Sequence, residues 1–231
     1  MKTIQALLSP KHFYAFAARC LPWLSIGFLL LMAYGLAGGL VFSPPDYQQG
    51  EGFRIIYIHV PCAFLSLFIY VSMACWALIA LVWKIKIADM AIRASAPIGA
   101  SFTLLALITG ALWGKPMWGA YWIWDARLTS ELILLFLYLG YIAIISAFPQ
   151  QRLGEMAGRM VVIIGTINIP IIHYSVYWWH TLHQGATLSK FTKPTISPEM
   201  LTPLLVMIAA FFLYYVILLF LRMQNEIHTN R

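Results

Sequence analysis

Charged side chains are scarce in this chain of 231 residues. Only 10% of the residues are Asp, Glu, Lys or Arg, whereas 61% are hydrophobic and the mean hydropathy is +0.80. Soluble globular domains normally carry about 25% charged residues. The chain therefore has too little polar surface to face water on all sides, which excludes an ordinary soluble domain and predicts an integral membrane protein.

Two kinds of chemical site are missing. The three cysteines, Cys20, Cys62 and Cys75, form no CxxC pair, so their spacing excludes the usual zinc and iron–sulfur sites. No GxxxxGK[ST] phosphate-binding loop is present, which excludes ATP hydrolysis by that route. The net charge of +7 is not concentrated in any dense basic cluster, so we expect no nucleic-acid partner.

Long apolar runs are what the sequence has in abundance. Each is close to the roughly 20 residues that a helix needs to cross about 30 Å of hydrocarbon, whereas barrel strands alternate in short segments. The runs predict an all-α, polytopic membrane protein that forms a single domain over residues 1–231, with a first span retained as a signal anchor. The six predicted transmembrane helices cover about Leu21–Val41, Ile55–Trp83, Ala94–Leu112, Leu132–Phe148, Met160–Tyr177 and Leu201–Leu221.

The basic residues predict the orientation. Six spans place both termini on one side, and cytoplasmic segments of membrane proteins are enriched in Lys and Arg. The side that includes the termini and the predicted loops at 84–93 and 152–159 holds ten of these residues, and the other side holds five. Both termini are therefore predicted to be cytoplasmic, and the loop between the third and fourth spans is predicted to face outward.

That outward loop carries an unusual density of tryptophan, and we call residues 113–131 the Trp-rich segment. If it formed a short interfacial helix, Trp118, Trp122 and Asp125 would share one face, with Tyr121 and Trp124 beside them. Such a face suits a flat apolar ligand such as a porphyrin, and it equally suits an interfacial aromatic belt. The flanking cations Lys115 and Arg127 are candidates for propionate carboxylates. The four Trp of this segment are Trp113, Trp118, Trp122 and Trp124.

Two histidines are predicted on the same outer side. His59 lies about one turn inside the second span, and His183 follows the fifth span. Neutral imidazole is a good ligand for heme iron, although a lone membrane histidine commonly makes an interhelical hydrogen bond instead. His173 is deeper and is expected to have a structural hydrogen-bonding role, and Glu131 is expected to be structural at the head of the fourth span.

At these residues the sequence resembles a known family. WGAYWIWD, residues 118–125, matches the WGxxWxWD signature of the WWD-domain heme-handling proteins of cytochrome c maturation. DYQQG and RIIYIHVP within residues 46–61, NIPIIHYSV at 168–176 and WWHTLHQG at 178–185 are similar to the cytochrome c maturation protein C branch (CcmC). The resemblance covers nearly the whole chain.

The resemblance implies a function and a site. His59 and His183 would be the axial ligands of heme b, and Trp118, Trp122, Trp124 and Asp125 would form the heme platform. The chain would act in the bacterial inner membrane, present heme at the periplasmic face to the chaperone CcmE, and work with the ABC-type subunits CcmA and CcmB and the small membrane protein CcmD. It would be a heme-binding scaffold rather than an ordinary enzyme.

Two alternatives remain open from the residues alone. A membrane b-type cytochrome that carries electrons would normally need deep pairs of histidines on facing helices, and only His173 is deep. A solute-transporter subunit would have broken helices and polar sites near the middle of the membrane, for which Asn168, Pro170 and His173 are the only indication.

Overall fold

The computed structural model describes residues 9–183 and 196–229. Within these ranges the chain is almost entirely helical and forms no β-strand. The helices are α1 (Pro10–Leu36, continued by a π-helical turn Ala37–Phe42), α2 (Ile56–Trp83, preceded by a 3₁₀ turn Glu51–Ile55), α3 (Lys86–Trp118), α4 (Ala126–Ala147), α5 (Gln151–Gly165), α6 (Asn168–Trp178) and α7 (Pro198–Thr229).

Six segments are long and apolar enough to cross a membrane, with α5 and α6 together forming the fifth. The prediction of an all-α protein with six spans is therefore confirmed. The described ends of the chain lie together, because the side chain of Gln224 on α7 donates a hydrogen bond to the carbonyl of Tyr14 on α1. We call the other end of the bundle, where α3 leads into α4, the aromatic end. Lys2, Lys190, Lys193 and Arg231, which contributed to the prediction of orientation, lie outside the described residues.

Two predicted loops were wrong. Only Lys84 and Ile85 separate α2 from α3, and α5 begins at Gln151, so the residues assigned to loops at 84–93 and 152–159 are mostly helical. The helices continue past the apolar runs because their charges pair across the bundle. Arg93 on α3 contacts Glu155 on α5 and Glu226 on α7, and Arg159 on α5 binds the Asp89 carboxylate on α3 with two hydrogen bonds.

The fifth span is interrupted where α5 ends and α6 begins. Thr166 and Ile167 form a turn between the two helices. The Asn168 side chain, which is buried, donates a hydrogen bond of 2.8 Å to the Ser130 carbonyl on α4. The break is thus closed by a polar contact with a neighbouring helix, which satisfies groups that hydrocarbon cannot.

The centre of the bundle is packed around α2, α3 and α4. Tyr138 on α4 is fully buried and lies against Gly99 on α3, where any side chain at position 99 would overlap its ring. Its hydroxyl donates a hydrogen bond to the carbonyl of Ser66 on α2. Small residues that allow such close approach are typical of membrane helix interfaces, and this contact brings α2, α3 and α4 together in the middle of the bundle.

Candidate functional site

The Trp-rich segment is not one helix. Trp118 is the last residue of α3, and Gly119 ends that helix with a left-handed backbone (φ 78°) that favours glycine. Residues 119–125 form a non-helical Trp-rich loop, and Asp125 then caps the N-terminus of α4 through a 2.8 Å hydrogen bond from the Leu128 N–H. The helical face considered for Trp118, Trp122 and Asp125 is therefore not formed, and the loop between the third and fourth spans is shorter than the Trp-rich segment.

His59 is held on the second turn of α2 against the end of α3. Its ring meets Trp113 edge to face, with centroids 5.6 Å apart. The indole N–H of Trp113 donates a 2.8 Å hydrogen bond to Oε1 of Gln49, in the connection before α2. Gln49 thus fixes the indole that packs on the imidazole.

Thr109 and Gly110 form the other side of the His59 pocket. The Nδ1 atom of His59 lies 3.0 Å from Oγ1 of Thr109, and that hydroxyl is itself 2.6 Å from the carbonyl of Leu105. Gly110 leaves the space for the ring, because a Cβ there would stand only 3.0 Å from Cε1 of His59.

His183 lies at the aromatic end against the last turn of α3. Its ring contacts Trp118 edge to face with centroids 4.7 Å apart, and its Nδ1 is 3.2 Å from Oδ2 of Asp125. The Trp118 ring folds back over Gly114, where a Cβ would come within 2.9 Å of the indole. Asp125 therefore contacts His183 as well as the start of α4.

The environment of His183 favours its neutral form. Burial lowers the pKa of the imidazole below its ordinary value, and the nearby Asp125 carboxylate opposes this shift without reversing it. A neutral imidazole keeps a lone pair on one ring nitrogen, which is the form that binds a metal.

The two imidazoles pack on Trp113 and Trp118 of the same helix, α3, and Arg127 acts electrostatically on both of them. The guanidinium of Arg127 is half-buried and donates a 3.2 Å hydrogen bond to the carbonyl of Ile172 on α6. The other predicted cation, Lys115, binds the carbonyl of Gly119 and lies over the ring of Tyr121.

Asp125, Arg127 and Glu131, three charged residues at the start of α4, each contact a different element. Asp125 contacts His183, Arg127 contacts α6, and the buried Glu131 accepts a 2.8 Å hydrogen bond from Ser66 on α2. The expected structural role of Glu131 stays a prediction, and it now has a specific partner. His173 lies edge to face with Tyr174 rather than in the site.

The other two indoles of the predicted platform, Trp122 and Trp124, contact each other. Trp122 and Trp124 pack edge to face at 5.3 Å, and Trp124 is 76% and Tyr121 58% exposed. The indole nitrogen of Trp122 is buried and has no hydrogen-bond partner among the described residues. Such a donor is unusual in a folded protein, since buried polar groups are normally paired.

Sequence reasoning missed Gln49, Thr109, Gly110 and Gly114. Gln49 is part of a segment that carried the family resemblance, but its partner Trp113 is 64 positions away. Thr109 and Gly110 lie inside an apolar run, where nothing in the sequence distinguishes them from ordinary helix residues. Only their contacts with His59, 50 positions away in the case of Thr109, reveal them.

The donor set fits a heme. Among the described residues no group of three His, Cys, Asp or Glu side chains could hold a bare metal ion. A porphyrin supplies four nitrogens itself, so that two imidazoles complete the coordination of its iron. The imidazoles of His59 and His183 are suitable donors for the two remaining positions, and the half-buried guanidinium of Arg127 suits a propionate.

The chain is similar to known proteins over almost its whole length. The family described as Heme exporter protein C (CcmC) matches residues 3–231. The chain is 50% identical over 226 residues to the heme exporter protein C of Escherichia coli, covering 98% of this chain and 91% of the relative. It is 47% identical over 229 residues to that of Bradyrhizobium diazoefficiens, covering 99% and 87%.

A relative from a third organism has a similar sequence identity. The chain is 46% identical over 185 residues to a putative cytochrome c biosynthesis CcmC-like mitochondrial protein of Marchantia polymorpha, covering 80% of this chain and 77% of the relative. The family match extends through every described helix. The chain therefore belongs to the heme exporter protein C (CcmC) family, whose members are multi-pass membrane components of cytochrome c biogenesis.

Proposed function

We propose that this protein binds heme b at the aromatic end of the bundle, with His59 and His183 as the two axial ligands. One observation carries the proposal. Histidines from two separate segments pack edge to face against two tryptophans in the last two turns of α3, His59 on Trp113 and His183 on Trp118. Heme is the cargo here, and the role of the chain is to hold and orient it.

Each group has a distinct part in this binding. The imidazoles supply nitrogen lone pairs to the iron, and the indoles of Trp113 and Trp118 restrict the imidazole rings. Arg127 supplies a half-buried positive charge for a propionate. The unpaired indole N–H of Trp122 offers a hydrogen bond to a propionate oxygen, which would satisfy that donor.

The exposed rings of Tyr121 and Trp124 are placed where a partner protein could receive the heme. A flat ligand held by residues of α2, α3 and the segment of His183 would have its remaining edge beside these exposed rings. We propose that CcmE, a periplasmic heme chaperone, docks at this edge and receives the heme. The chain would contribute orientation rather than acid–base catalysis. This assigns the aromatic end to the periplasmic face of the inner membrane, with CcmA, CcmB and CcmD as the other partners.

The transporter alternative gains one feature from the structure, the interrupted fifth span. However, the polar side chain at the break, Asn168, is already paired with the Ser130 carbonyl. In transporters the groups freed by a broken helix line the substrate site. We therefore favour heme binding.

The test is the absorption spectrum of the purified protein. The wild-type protein should carry heme with a six-coordinate, bis-histidine spectrum, and His59→Ala and His183→Ala should each weaken or change that spectrum. His180→Ala is the matched control, because His180 is exposed and lies three residues before His183. A wild-type protein without a Soret band, with or without CcmE, would overturn the proposal, and so would an unchanged spectrum in both ligand variants.

A further inference from the structure

The two proposed iron ligands share a hydrogen-bonding arrangement. In each imidazole the Nδ1 atom contacts a side-chain oxygen, Thr109 Oγ1 for His59 and Asp125 Oδ2 for His183. The two partners come from different elements, a helix interior and a helix cap.

The direction of the hydrogen bond at His59 follows from the surroundings of Thr109. Its hydroxyl carries one hydrogen, and the carbonyl of Leu105 at 2.6 Å can only accept it. The hydroxyl oxygen is then an acceptor toward His59, so Nδ1 carries the proton and donates across the 3.0 Å contact. A neutral imidazole with its proton on Nδ1 has its lone pair on Nε2.

The same direction holds at His183 for a different reason. An ionised carboxylate can only accept hydrogen bonds. The Oδ1 atom of Asp125 already accepts the Leu128 N–H, and Oδ2 faces the ring. The hydroxyl of Thr181, which also lies near Nδ1 at 3.4 Å, accepts the backbone N–H of His183 and steadies the same ring. Nδ1 of His183 therefore donates, and its lone pair is also on Nε2.

We propose that Thr109 and Asp125 are positioning residues that fix the tautomers of His59 and His183, so that both Nε2 atoms are ready to bind iron before heme arrives. This inference rests on the proposed heme function, but the tautomers exist in the heme-free protein and can be measured there. Outer partners of metal-binding histidines commonly act in this way, and their loss typically lowers metal affinity by about 10- to 100-fold.

The arrangement explains why a hydroxyl and a carboxylate occupy these two places. Thr109 is inside a predicted membrane span, where a neutral hydroxyl whose hydrogen goes to its own helix carbonyl avoids burying a charge. Asp125 is at a helix N-terminus, where a carboxylate is favoured by the helix dipole and by the exposed N–H groups. The hydroxyl of Thr109 therefore suits a membrane span, and the carboxylate of Asp125 suits a helix N-terminus.

The test is ¹⁵N NMR of the heme-free protein with labelled histidine, at a pH above the ordinary imidazole pKa of about 6.5. Ring-nitrogen shifts distinguish protonated from unprotonated nitrogens, and substitution of each of the six histidines assigns the signals. In the wild type, both His59 and His183 should be protonated on Nδ1. A proton on Nε2 of either ring would overturn the proposal for that ring.

Variants separate positioning from folding. Thr109→Val keeps the shape but lacks the hydroxyl, and should shift His59 toward the Nε2-protonated tautomer. Thr109→Ser should restore the wild-type signal. Asp125→Asn retains an oxygen for the Leu128 N–H but presents an amide donor to His183, which should move its proton to Nε2. In each variant the unaffected histidine should keep its tautomer, which shows that the site is still folded.

Heme titration then links the tautomers to binding. Thr109→Val and Asp125→Asn should each lower heme affinity by about 10-fold or more, and Thr109→Ser should bind as the wild type does. Unchanged tautomers in Thr109→Val and Asp125→Asn would overturn the inference. If the tautomers behave as expected and the wild type binds no heme, the proposed function fails while the hydrogen-bond assignment stands.

Discussion

Asp125 contacts His183 with the same carboxylate that caps α4. One oxygen accepts the Leu128 N–H at 2.8 Å, and the other is 3.2 Å from Nδ1 of a histidine 58 positions later. The start of α4 and the position of one proposed iron ligand are therefore coupled. The family resemblance assigns Asp125 to the heme platform, but its carboxylate contacts His183 and the N-terminus of α4.

Gly110 should be sensitive to the smallest substitution. In Gly110→Ala the new Cβ would lie 3.0 Å from Cε1 of His59, closer than ordinary van der Waals contact, and the ring would have to move away from Thr109. We expect heme affinity to fall by about 10-fold, the scale of a ligand that loses its outer support, as measured by heme titration. Gly140→Ala is the matched control, since a Cβ at that exposed helical position meets nothing within 4 Å. Equal binding by both variants would contradict the packing role of Gly110.

Gln49 and Trp113 should act as a pair. The hydrogen bond between Oε1 of Gln49 and the indole N–H is worth about 0.5–1.5 kcal/mol, or roughly 2- to 12-fold if it is fully expressed in ligand binding. Gln49→Ala and Trp113→Phe should each weaken heme binding, and the double variant should be weaker by less than the product of the two effects. Strictly multiplicative effects would show that the two residues act independently.

The decrease in heme affinity at acidic pH should follow the protonation of His183. Its pKa is lowered by burial, so the folded protein keeps the ring neutral at neutral pH, and protons compete with iron only on acidification. Heme affinity should be constant above about pH 6.5 and should fall only when the pH passes below the lowered folded-state pKa, by at most about 10-fold per pH unit for each competing proton. The corresponding contribution to stability is complete above pH 6.5 and is lost as the pH falls from there through the folded-state pKa.

An NMR titration of the heme-free protein isolates this effect. The His183 signal should have a midpoint below the ordinary imidazole value. Asp125→Ala should lower the midpoint further, because the carboxylate raises the pKa in the folded protein. A wild-type midpoint at or above about 6.5 would contradict the burial of His183.

Glu131 should be required for packing rather than for heme chemistry. It is buried on α4 and accepts a hydrogen bond from Ser66 on α2. Glu131→Gln keeps an acceptor for that hydroxyl and should be close to the wild type in thermal unfolding. Glu131→Leu removes this hydrogen bond and should cost about 0.5–1.5 kcal/mol, because the Ser66 hydroxyl still has the Ala63 carbonyl at 2.8 Å as an acceptor. A loss of heme affinity in Glu131→Gln at normal stability would contradict this assignment.

Much of the fold could be predicted because it follows from local composition. Apolar runs of membrane length specify helices wherever they occur, since hydrocarbon leaves the backbone no other partner. The ends of the helices were predicted less well. The charged residues Asp89, Arg93 and Glu155 read as loop residues, whereas they extend α3 and α5 because their partners lie on other helices.

The sequence by itself determined that this chain crosses a membrane six times and carries a Trp-rich segment with two candidate histidines. Those properties depend on residue type and on short-range order. Only the tertiary structure decided which atoms meet. It ended α3 at Trp118, seated His59 against Thr109 and Gly110, and placed His183 on Asp125. Hydrogen bonds between residues 50 to 64 positions apart depend on how helices pack, and no local pattern in a single sequence records that packing.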